Sequence, residues 1–134
     1  MYDVELSFTR TNGAAGQAVT SSAASTNVID LGTDKYFEKP LYLHVRVTDA
    51  VTADGAATVA IALQSDAAAT FGSAATYDTV CAATGKATFV DGYHIVRPLQ
   101  VQGLERYIRL YFTVATGPLT AGTFVAYLSD STEL

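Results

Sequence analysis

The chain has 134 residues and a mass of 14.1 kDa, enough for one domain with its own core and no staples. Hydrophobic residues make up 49%, but 22 of them are alanine, leaving roughly a third of the chain as large apolar side chains. Charged residues are only 16% and the net charge is −5, with no extended basic tract, which argues against a nucleic-acid partner; the lone Cys81 excludes a disulfide scaffold, and one Cys with two His cannot close a structural zinc site.

The pattern along the chain has period two. Val4, Leu6 and Phe8 alternate with Asp3, Glu5 and Ser7, a first half-buried strand. A long run of Gly, Ala, Ser, Thr and Gln follows from Asn12 to Thr26. It reads as an uncovered loop, mobile in the free protein and ordered by a neighbour. Asn27 to Leu31 is a short strand closed by Gly32. The clearest alternation is Leu41 to Thr48: Leu41, Leu43, Val45 and Val47 point inward, and Tyr42, His44, Arg46 and Thr48 outward.

Val59, Ile61 and Leu63 repeat the pattern against Thr58, Ala60, Ala62 and Gln64. Asp66 to Ala75 is a second small-residue loop, carrying Phe71 as a candidate anchor. Thr76 to Ala82 is a Thr-rich strand, and Tyr93 to Arg97 ends at Pro98, which cannot donate to a ladder. From Arg106 to Ala115, Ile108, Leu110, Phe112 and Val114 face in, while Tyr107, Arg109, Tyr111 and Thr113 face out. Phe124, Ala126 and Leu128 close the series, against Val125 and Tyr127.

About eight short strands and no amphipathic helix predict an all-β antiparallel jelly-roll sandwich, with residues 1–134 as a single domain. In jelly-roll wiring, strands one, eight, three and six share one sheet, and two, seven, four and five the other. Leu41–Thr48 and Arg106–Ala115 then lie on opposite sheets, their inward faces meeting in one core.

No catalytic constellation is visible. Asp3 and Glu5 read as solvated outer-face acids. Asp30, Asp34 and Asp54 sit near turns, where Asp accepts local backbone bonds. No calcium loop or phosphate loop is present, and nothing in the spacing links Cys81 to His44 or His94, so Cys81 reads as a small core residue. The expectation is a non-enzyme with no cofactor and no metal.

The outward faces are the informative ones, because Tyr and Arg are enriched at the centres of protein interfaces. Tyr107, Arg109 and Tyr111 form the first candidate patch; Tyr42, His44 and Arg46, with Tyr127 beside them, form the second; Phe71 is the loop candidate. The plain alternative is that such residues simply favour exposed strands.

The order of segments carries a resemblance. Tyr2-Asp3-Val4-Glu5-Leu6-Ser7-Phe8 and an Ala/Gly-rich loop are followed by Asn27-Val28-Ile29-Asp30-Leu31-Gly32. Pro40-Leu41-Tyr42-Leu43-His44-Val45, Ala60-Ile61-Ala62-Leu63-Gln64-Ser65-Asp66 and Glu105-Arg106-Tyr107-Ile108-Arg109-Leu110 come next. Over nearly its whole length the chain resembles the capsid cement, or decoration, proteins of tailed bacteriophages, of the type first seen on a Bordetella phage. That resemblance implies a jelly roll on the outside of an HK97-like shell. Its partners would be the major capsid protein and further copies of itself, as a homodimer first and a trimer second. It implies no enzyme activity and no cofactor.

The start of the chain carries two acids and no basic segment, and no run of 18 apolar residues occurs. Together these give the expectation of a protein made in the host bacterial cytoplasm, with no membrane partner, and ending on the virion surface. A carbohydrate- or receptor-binding β-sandwich on a virion is the alternative. The absence of Trp counts against it, and the tyrosines keep it open.

Overall fold

The computed structural model describes residues 7–9, 16–31, 41–72, 75–99 and 105–129. The expected strand residues Val4 and Leu6, their neighbours Asp3 and Glu5, Asp34, and residues 12–15 of the long loop lie outside these. Among the described residues nine strands run in chain order: β1 (Gln17–Ala18), β2 (Ala23–Ala24), β3 (Ile29–Asp30), β4 (Tyr42–Thr52), β5 (Thr58–Asp66), β6 (Ala75–Gly85), β7 (His94–Pro98), β8 (Tyr107–Ala115) and β9 (Ala121–Ser129). One short 3₁₀ turn, Lys86–Thr88, is the sole helical element among the described residues.

All pairings are antiparallel. One sheet has the order β1-β9-β4-β7, and the other β2-β8-β5-β6, with β3 also on β8. Ser7, within the expected first strand, bridges to Tyr127, so the described end of that strand lies beside β9. This is the jelly-roll wiring that the alternation predicts, with β9 beside β4 and β8 beside β5. The long strands form because β-branched and aromatic residues alternate with polar ones on a surface buried on one side.

The two inward faces meet in one core. Val59, Ile61, Ile108, Leu110 and Phe112 from one sheet pack against Leu43, Val45, Val47, Phe124 and Leu128 from the other. The Phe112 and Phe124 rings, 5.1 Å between centroids, cross from sheet to sheet. Phe89, in the β6–β7 connection, adds an edge-on contact to Phe124 at 5.9 Å. Leu41 and Val114, expected in the core, are half-buried at its margin. Cys81 is also half-buried rather than a core residue, its Sγ 3.6 Å from Thr84 Oγ1.

The polar run around residues 16–26 departs from expectation. It is not an uncovered loop, because it spans from one sheet to the other: β1 pairs with β9 and β2 with β8. Val19 between them is buried in the core. Small polar side chains complete the pairing where the chain leaves strand geometry. Ser22 Oγ accepts from Val114 N at 2.9 Å, and Ser25 Oγ from Leu110 N at 3.0 Å. Gln17 ties the segment to itself, its Nε2 donating to Ala24 O and its Oε1 accepting from Thr26 N. Gly16 fits because a Cβ there would meet Thr123 Cγ2 at 2.6 Å.

At the opposite side, the edges of β6 and β7 are pinned across the sheets. Arg97 pairs with Asp78 at 3.3 Å and donates to Val80 O at 3.4 Å. Beside the pair opens a cleft of about 400 Å³ lined by Leu63, Tyr77, Asp78, Arg97, Pro98 and Leu99.

Candidate protein interface

Strand β8 alternates cleanly: Ile108, Leu110 and Phe112 are buried, and Tyr107, Arg109 and Tyr111 are half-buried on the outer face. The neighbouring strand β5 places Asp66, Gln64 and Ala62 opposite Tyr107, Arg109 and Tyr111. Ala62 and Ala60 leave a low shelf beside the Tyr111 ring, because a methyl group stands little above the sheet. The first candidate patch is therefore brought together as one surface.

The charges on this surface are held by the chain itself. Arg109 Nε donates to Gln64 Oε1 at 2.8 Å, and its guanidinium lies 4.4 Å from the Phe71 ring centre and 5.8 Å from that of Tyr111. Arg106 makes a two-pronged bond to Asp30, at 2.8 and 2.9 Å, and lies 5.1 Å from the Tyr107 ring. The Asp30 bond raises the already high pKa of Arg106. Guanidinium groups held over tyrosine and phenylalanine rings make an aromatic surface whose rings lose little side-chain entropy on contact.

Phe71 corrects one expectation. Its side chain is not offered to a neighbour: it is 7% exposed and sits against Arg109. The loop after β5 folds back over the sheet, closed by Phe71 N donating to Ala68 O and Ala68 N to Asp66 Oδ1. Phe71 holds a left-handed backbone, φ 54°, which is unfavourable for a non-glycine residue.

The second candidate patch comes apart. On the outer face of β4, Tyr42 is half-buried and Arg46 exposed, but His44, expected to face solvent, is fully buried. It stacks on Tyr127 of β9, with ring centres 4.9 Å apart and planes within 3°. Its Nδ1 lies 3.1 Å from Nε2 of His94 on β7. His94 has its pKa lowered, first by burial, then by His44 and Arg46. Sequence reasoning missed both His94 and the stack. The hint available was register, since His44 and Tyr127 fall on strands that jelly-roll wiring makes neighbours.

Among the described residues no group of three His, Cys, Asp or Glu side chains gathers as metal ligands do, and no helix is long and apolar enough to cross a membrane. The fold and its tyrosine–arginine face define a jelly-roll β-sandwich with a built outer surface. Residues 13–128 match the family model Bbp16, so the chain belongs to the Bbp16 family, a Bordetella phage protein family that points to a protein of the phage virion. No curated protein matches the chain.

Proposed function

We propose that the protein is a structural capsid cement, or decoration, protein. It binds the outer surface of an HK97-like phage shell and stabilises it by bridging capsomers, as a homo-oligomer and without catalytic chemistry. The observation that carries this reading is the pairing of Bbp16 membership with the Tyr107–Arg109–Tyr111 face. Such a face suits broad contact with another folded protein: rings half-exposed, charges already partnered, and small residues alongside.

Many copies, each adding modest binding energy, would share the load on a shell by avidity. The test is co-sedimentation of the purified protein with shells lacking it, with the temperature of shell rupture followed in parallel. Saturable binding and a raised rupture temperature support the reading. Absence of binding, with selective capture on a glycan array, would replace it with the carbohydrate-binding alternative.

A further inference from the structure

We propose that His44 and His94 form a proton-sensitive clasp holding edge strand β7 to β4, intact with one added proton and broken by two. The clasp is a hydrogen bond between ring nitrogens 3.1 Å apart, Nδ1 of His44 and Nε2 of His94. Such a bond needs an N–H on one ring and a lone pair on the other. Two neutral imidazoles meet that need, and so do one neutral ring and one imidazolium. Two imidazolium rings do not, because both are donors.

The surroundings prevent an easy escape. His44 is fully buried and stacked on Tyr127 of β9, so its ring cannot turn away without giving up that stack. The His44 and His94 rings meet edge to edge, with centres 5.2 Å apart and planes within 18°, the arrangement that an in-plane bond between ring nitrogens requires. Tyr127 on β9 lies against His44, and Arg46 on β4 acts on His94. Arg46 is the register partner of His94 and brings a positive charge toward it. Burial, His44 and Arg46 together lower the pKa of His94, in that order.

The sign follows. The unfolded chain takes up the His94 proton near 6.5, before the folded chain does. The clasp survives the first proton, so its contribution is complete above about pH 6.5 and is lost as pH falls through the lowered folded pKa of His94, where the second proton enters. The element released is β7, five residues paired on one side to β4 and last in its sheet.

The chain has two histidines, so their side-chain resonances can be assigned without ambiguity. The experiment is an NMR titration of the whole protein from pH 8 to pH 4, with amide exchange of β4 and β7 measured at each step. The proposal expects one histidine to protonate below the ordinary range. In the same step, the protection factors of the β7 amides and their β4 partners, each rate being compared with the intrinsic rate at that pH, should fall by up to about tenfold for each unit by which that pKa is lowered. H94Q keeps a group that can donate or accept but cannot titrate, so it should remove the acid step. Independent titration of both rings near 6.5 with unchanged protection factors would overturn the proposal, as would an acid loss of protection that persists in H94Q. If H94Q does not fold, the titration of the parent protein decides alone.

Discussion

The guanidinium of Arg109 stands 4.4 Å from the centre of the Phe71 ring, and this contact joins a strand to the loop that covers it. Arg109 sits on the outer face of β8, opposite Gln64, while Phe71 belongs to the turn after β5 and keeps an unfavourable left-handed backbone. A strained residue persists only where its surroundings hold it, and here burial of the ring against Arg109 does so. The face proposed to meet the shell is therefore braced from within. One consequence concerns its probes: reversing the charge of Arg109 would disturb the Phe71 loop as well as any partner.

Phe71→Ala and Arg109→Ala should be coupled. Phe71→Ala is expected to cost about 2–4 kcal/mol, near the low end for buried aromatic truncation because the site is a loop. Arg109→Ala removes the hydrogen bond to Gln64 and the contact with the ring, worth about 1–2 kcal/mol. In urea melts the double variant should fall short of the sum by about 0.5–1.5 kcal/mol. Additivity within about 0.3 kcal/mol would show that the two side chains do not support one another.

Phe112→Ala tests the core. The ring is fully buried and packs on Phe124 across the sheets, so its removal should cost about 3–5 kcal/mol. A loss under about 1 kcal/mol in the same melts would mean that the two sheets do not meet through this pair.

The Asp78–Arg97 bridge should matter little by comparison. Both side chains are about two-fifths exposed, and water screens such a pair. Asp78→Asn should change stability by less than about 1 kcal/mol, and that difference should shrink in molar salt. A larger, salt-insensitive loss would assign the pair a structural role at the cleft between β6 and β7.

The strands that were legible in the sequence are those with one long buried face. In β4, β5, β8 and β9, alternation gives strand, inward face and, through jelly-roll wiring, the neighbour. What lies above the outward face was not legible. Period two says that His44 and Arg109 leave the core side of their sheets. It cannot say that His44 is then buried against Tyr127, or that Phe71 returns to cover Arg109. The segment around Val19 was misread for a related reason. Two-residue strands carry no alternation, and their pairing is completed by Ser22, Ser25 and Gln17, whose side chains look the same in a loop. Phe89 was missed because its neighbours, Lys86 to Thr88, form a turn with no period of their own.

The central claim is that the β8 face holds the protein on a phage shell. Tyr107→Ala with Tyr111→Ala removes two half-exposed rings and leaves Ile108, Leu110 and Phe112 in the core. Tyrosines at an interface centre are commonly worth about 1–2 kcal/mol each or more, and avidity steepens the loss of occupancy over many sites. The most direct measurement is the number of copies that co-sediment per shell, parent against double variant, with folding of both checked by their urea melts. The account predicts a saturated shell with the parent and, at the same protein concentration, occupancy reduced about tenfold or more with the variant. A folded double variant that fills shells as the parent does would contradict it.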